Sequence, residues 1–134
     1  MDLGLRNARI NFRQSERSHL MENMVYNELR IRGFNVDVGV VPVVLTDDNG
    51  RQQRASLEVD FVCNLGSRRY YIQSAYRMES DEKIRQERAS LLKVNDSFKK
   101  IIVIGEESPV IRDEAGITTI SIFDFLLKDN SLEL

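Results

Sequence analysis

Two carboxylates stand two residues apart in the segment Leu57-Glu58-Val59-Asp60-Phe61. Side chains of a strand alternate between its faces, so an extended segment puts Glu58 and Asp60 on one face and Leu57, Val59 and Phe61 on the other. Carboxylates grouped in this way are the oxygen donors that hard divalent cations accept. They are also the ordinary polar positions of a half-exposed strand. Further on, Tyr70-Tyr71-Ile72-Gln73-Ser74-Ala75-Tyr76 alternates likewise, with Gln73 and Ala75 on one face. Tyr70 and Tyr76 share a face and Tyr71 takes the other, which favours packing over a three-ring platform for stacking bases. Two other reactive types occur once each. Cys63 has no cationic sequence neighbour and reads as an inert buried thiol, and His19 reads as a surface residue near the start of a helix. One histidine leaves no multi-histidine metal centre and no serine-protease-like chemistry.

The elements that position these groups follow from periodicity. Met21, Val25 and Leu29 recur every four residues, with Leu20 and Met24 beside them, and predict an amphipathic helix over 15–32 or 18–32. Ser15 or Ser18 would cap its start and Gly33 would stop it in a left-handed conformation. Residues 1–14 read as an irregular lead-in. Phe34, Val36, Val38 and Val40 alternate with Asn35, Asp37 and Gly39 as a half-buried strand that continues through Val43, Val44 and Leu45. Thr46-Asp47-Asp48-Asn49-Gly50 is a turn, and a return strand covers 52–64. Gly66-Ser67-Arg68 then leads to a third strand over 70–76, which completes an antiparallel meander. A second helix covers 80–94, with Asp81 and Glu82 in its first turn and Ile84, Leu91 and Leu92 buried. The continuous apolar run Ile101-Ile102-Val103-Ile104 predicts a strand covered on both faces, the signature of parallel pairing. A fifth strand over 117–122, a short helix over 123–127 and a polar tail over 128–134 follow. The expected order is α-β-β-β-α-β-β-α, an α/β class with a mixed central sheet flanked by helices.

The chain has 134 residues, of which 42% are hydrophobic and 30% charged, as expected of one ordinary globular domain. Its net charge of -2 makes no global case for nucleic acid, although Arg6, Arg9, Arg13, Arg17, Arg30 and Arg32 crowd the first quarter. A lone cysteine fits a reducing compartment, and the chain has neither a signal-peptide layout at its start nor a run of ~18 apolar residues. A cytoplasmic location with no membrane partner is expected.

The element order and the residues quoted above resemble the core of the PD-(D/E)XK, or restriction-endonuclease-like, nucleases. In that family one strand of the meander supplies an Asp, the next supplies (D/E)-X-K, and the first helix often supplies a Glu. The resemblance carries these places onto Asp60, then Gln73 and Ala75, with Glu22 on the first helix. Glu58, Arg77 and Lys83 are neighbours that could contribute. Asp60 and Glu22 match the family, whereas Gln73 and Ala75 depart from it. The family chemistry holds Mg²⁺ on carboxylates and uses the lysine to stabilise charge at phosphate. Glutamine supplies a neutral oxygen and alanine supplies nothing, and losing one such donor costs roughly 10² to 10³ in rate. The resemblance therefore implies a degenerate site, with no catalysis and no metal in this chain. A Mg²⁺ on Glu22, Asp60 and Gln73 belongs to the alternative of a metal-dependent DNA nuclease. If those assignments hold, Gln73→Glu with Ala75→Lys would rebuild a cation site.

A narrower resemblance adds context. Asp2-Leu3-Gly4-Leu5-Arg6-Asn7, Met21-Glu22-Asn23-Met24-Val25-Tyr26, Glu58-Val59-Asp60-Phe61-Val62, Tyr70-Tyr71-Ile72-Gln73-Ser74-Ala75-Tyr76 and Phe123-Asp124-Phe125-Leu126-Leu127 are similar to segments of a C-terminal domain of unknown function in bacterial AAA-type ATPases. That likeness implies a lead-in over 1–14 from the upstream ATPase region and a domain over 15–134. ATP and its Mg²⁺ would belong to the upstream region, since no G-x-x-x-x-G-K-[ST] occurs here. The implied partners are that upstream region and a protein partner or a second copy, reached through the apolar Leu3, Leu5, Ile10 and Phe12. A module that binds nucleic acid without catalysis is a further alternative.

Overall fold

The computed structural model describes residues 3–76, 81–94 and 97–134. Helix α1 (Leu3–Ile31) leads into the long hairpin β1 (Asn35–Thr46) and β2 (Gln52–Leu65), followed by β3 (Arg68–Ala75), α2 (Asp81–Leu92), β4 (Lys99–Ile104), the two-residue β5 (Ile111–Arg112), β6 (Ile117–Ser121), α3 (Ile122–Leu127) and a closing 3₁₀ turn (Ser131–Glu133). The six strands form one sheet in the order β1-β2-β3-β4-β6-β5. β1, β2 and β3 pair antiparallel, β3–β4 and β4–β6 pair parallel, and β5 adds an antiparallel edge to β6. This is a mixed central sheet flanked by helices.

The parallel centre is where the apolar run predicted it. Ile101 and Val103 face the layer of α1 and α3, packing with Met21, Val25, Leu29, Phe61, Ile72, Ile120 and Phe125. Ile102 and Ile104 face α2, packing with Val59, Tyr71, Ala75, Leu91 and Ile117. Tyr70 and Tyr76 pack on the first side and Tyr71 on the second, in agreement with strand parity. Gly33 ends α1 at φ 93°, and the Phe34 N–H reaches back to the Leu29 carbonyl at 3.1 Å, the closing bond of a left-handed helix stop.

Several expectations are corrected. Residues 3–14 are helical rather than irregular, so Ser15 and Ser18 lie inside α1 instead of capping it. That segment has no proline and is rich in good helix formers, so nothing ends a helix there. The side chains of Leu3, Leu5, Ile10 and Phe12 lie outside the described residues. Leu91 is buried as expected, but Leu92 is 48% exposed. The side chain of Ile84 lies outside the described residues. The turn after β1 spans 47–51: the Asp47 carboxylate caps the Asn49 and Arg51 N–H groups, and only Gly50 takes a positive φ. The strand β5 was not anticipated, because two exposed residues carry no periodic signal.

The tail is the largest correction. Ser131 and Leu132 are buried, at 0% and 4% exposure. The Arg32 guanidinium donates to the Phe125 carbonyl at 2.6 Å, the Lys128 carbonyl at 3.1 Å and Ser131 Oγ at 2.7 Å. Lys99 Nζ donates to the carbonyls of Leu132 and Leu134, and burial lowers its pKa. Two cations thus satisfy the carbonyls of a short turn that no regular ladder could serve.

Candidate functional site

Asp60 sits on an irregularity of β2. Asp37 pairs with Val62 and Gly39 with Val59, so two steps along β1 match three along β2. The extra residue is a β-bulge at Asp60 and Phe61, opposite Val38. It breaks the alternation assumed from the sequence: Val59 packs on the α2 side and Phe61 on the α1 side, instead of sharing a face. Gly39 fits this close approach, since a Cβ there would stand 3.1 Å from the Val59 carbonyl oxygen.

The ladder between β2 and β3 runs to Phe61↔Ile72, and beyond that pair side chains join the two strands. The Gln73 amide oxygen accepts the Asp60 backbone N–H at 3.0 Å, and its nitrogen donates to the Glu58 carbonyl at 3.4 Å. The side chain stands in for the next peptide of the ladder and is 8% exposed. Asp60 Oδ2 accepts the Ser74 backbone N–H at 2.8 Å and the Ser74 hydroxyl at 3.2 Å. Ser74, which the sequence reading passed over, is thus the β3 side chain that meets the Asp60 carboxylate. Parity was the available signal, because Ser74 shares the α1 side of β3 with Tyr70 and Ile72. Ala75 lies 5% exposed in the apolar layer under α2, with Val59, Leu91, Val94 and Ile104.

Glu22 and Asp60 come together. They line one open cleft of about 580 Å³ between α1 and the β1–β2 hairpin, with Glu58, Asn23, Tyr26, Val38, Val40 and Phe61. Partial burial, then the Asp60 charge, raise the Glu22 pKa above 4.5, and His19 at 3.8 Å opposes them. Arg77 lies outside the described residues, as does the side chain of Lys83. Cys63 is fully buried, and burial pushes its thiol up to about 12, beyond the reach of nucleophilic chemistry at neutral pH.

The donor set does not fit the Mg²⁺ that a nuclease would hold. An octahedral site wants several converging hard oxygens. Here the Gln73 oxygen is committed to the Asp60 N–H, and Asp60 Oδ2 to Ser74. Among the described residues no three His, Cys, Asp or Glu side chains converge.

The raised pKa of Glu22 yields a prediction with a defined sign. A carboxyl whose pKa is higher in the folded chain destabilises the fold when ionised, fully so above the folded pKa. The cost fades as pH falls toward the ordinary value of 4.5. Glu22→Gln should therefore raise the Tm slightly at pH 7, with the gain vanishing below about pH 4.5. Thermal unfolding at both pH values checks it, and a loss of stability at pH 7 would show Glu22 to be a structural support.

Fold and site together define a mixed α/β domain with an acidic cleft between its first helix and the bulged second strand of its sheet. The chain belongs to the family described as Domain of unknown function (DUF4143), whose model matches residues 17–125. It is also 29% identical over 128 residues to an uncharacterized protein of Haemophilus influenzae, an alignment covering 96% of this chain and 28% of that protein. The chain thus spans little more than a quarter of that relative's length. Among the described residues no helix is long and apolar enough to cross a membrane.

Proposed function

We propose that this domain is a non-catalytic module with a degenerate PD-(D/E)XK nuclease site, standing C-terminal to an AAA-type ATPase in a longer cytoplasmic polypeptide and serving to dock other protein surfaces. The observation that carries this reading is the use made of Gln73 and Ala75. The amide of Gln73 is spent on the backbone of β2, and Ala75 is sealed under α2. Aligning the motif instead on Ile72 and Ser74, the α1-side pair, supplies neither carboxylate nor lysine. The antiparallel meander, the parallel crossover through α2 and the meeting of Glu22 with Asp60 support nuclease ancestry. The sequence likeness to the ATPase C-terminal domain supports the wider context, as does the short share of a longer relative that the chain covers.

A nucleic-acid module is disfavoured at this cleft, because Glu22, Glu58 and Asp60 would repel phosphate. The test is plasmid nicking by the 134-residue chain with Mg²⁺ or Mn²⁺, beside Asp60→Asn. Neither protein should nick supercoiled DNA above background. Metal-dependent nicking lost in Asp60→Asn would replace this reading with the nuclease one.

A further inference from the structure

The cleft between α1 and the hairpin is lined by both apolar and acidic side chains. Val38 and Val40 remain 79% and 65% exposed on successive same-face positions of β1, and Tyr26 of α1 across from them is 37% exposed, an unusual amount of apolar surface to leave open. Val36, on the same face of β1, is packed against the core, so this apolar row begins in the core and runs out into the open cleft. Glu22, Glu58 and Asp60 line the same space, and among its described lining residues there is no lysine or arginine.

We propose that this cleft docks a partner protein segment presenting a basic side chain, arginine or lysine, between aliphatic residues. The aliphatic stem of such a residue would lie along Val38, Val40 and Tyr26 while its charge sits in the field of the carboxylates that line the cleft, the division between stem and head that long basic side chains adopt. A cation there would also relieve the repulsion between Glu22 and Asp60. An acidic segment would meet like charge, and an uncharged apolar one would leave the carboxylates partly desolvated without a partner. The proposal rests on the non-catalytic reading and names the class of partner for the same site.

The experiment uses the 134-residue chain and a fluorescein-labelled hexapeptide with one central arginine flanked by valine and leucine. Its twins carry norleucine or glutamate in place of the arginine. Fluorescence anisotropy should show the arginine peptide binding about tenfold or more tightly than either twin, with an affinity that falls as salt is raised. Glu58→Lys should weaken binding about tenfold or more, and Val40→Asn, which removes apolar wall without adding charge, should weaken it severalfold. Glu58 and Val40 are exposed, so both variants should keep the parent's circular dichroism. Glu106→Gln, an exposed substitution outside the cleft lining, should bind as the parent does. Equal binding of the three peptides, no binding up to about 1 mM, or an unchanged affinity in Glu58→Lys would each overturn the proposal. Plasmid nicking measured in parallel keeps the two ideas apart: nicking defeats the non-catalytic reading, whereas absent nicking with absent binding defeats only the docking.

Discussion

Ala75→Lys is expected to cost the fold about 4 kcal/mol or more, enough to unfold much of the chain at 37 °C. Ala75 is 5% exposed and packed in an apolar cluster with Val59, Leu91, Val94 and Ile104. An ammonium group buried there is uncompensated, so its pKa in the folded chain must fall below the ordinary lysine value. The sign of the pH dependence follows. Protonation favours the unfolded chain, so the variant should be least stable at neutral and acidic pH and should recover as pH rises toward 10. Ser74→Lys is the paired control. Ser74 is half-buried beside Asp60 on the opposite side of β3, where a lysine would find a carboxylate at once. It should cost much less, about 1 kcal/mol. Urea unfolding of both variants decides between the two positions. A cost at Ala75 as small as that expected for Ser74→Lys would mean that the α2 layer opens easily to position 75, and the expectation that Gln73→Glu with Ala75→Lys rebuilds a cation site would then regain its footing. As the chain is folded, that double variant should be destabilised, because a glutamate at 73 would also face the Glu58 carbonyl with no donor, and Mn²⁺ should not restore it.

Arg32→Ala should be the other severe change, with a loss of about 3 kcal/mol and a fall in Tm of roughly 10 °C. The side chain is 15% exposed, pairs with Glu28 at 3.0 Å, holds three acceptors of the C-terminal turn and lies over the Phe125 ring at 5.1 Å. Removing it leaves Glu28 without its partner and frees the turn that carries the buried Leu132. Arg32→Lys should recover only part of the loss, because one ammonium cannot reproduce a planar fork aimed at several oxygens. Thermal unfolding and limited proteolysis near the C-terminus read the effect. A shift below about 3 °C would show that the turn is held by its apolar contacts alone.

Much of the architecture was legible from residue order because it rests on local rules. Helix periodicity placed Met21, Val25 and Leu29 in the core, and four consecutive apolar residues marked Ile101 to Ile104 as a strand buried on both faces. Asn-Gly and Gly-Ser dipeptides placed both turns of the meander. Glu22 and Asp60 could be paired only through a family likeness, since nothing local links a helix residue to a strand residue so far along the chain. The bulge was not legible. A β-bulge is one extra residue whose position depends on the partner strand, and here the partner offers Gly39, the residue small enough to allow the approach.

By itself, the sequence determined the class of fold, the meander and parallel centre, the burial of Cys63, and the absence of a carboxylate and a lysine at the expected places on β3. Each of these is a property of residue type or of period. Only the tertiary structure decided where the groups of the site point. One added residue in β2 splits Phe61 from Val59 and sends it toward α1 while Glu58 and Asp60 still line one cleft, turns the Asp60 carboxylate onto Ser74 and gives Gln73 the hydrogen bonds of a missing ladder step. The tail belongs to the same account: Leu132 looks like a lone apolar residue in a polar end until Arg32, 99 positions from Ser131, supplies the donors that make its burial affordable. Long-range hydrogen bonds of that kind leave no periodic trace, so the folded chain alone could show them.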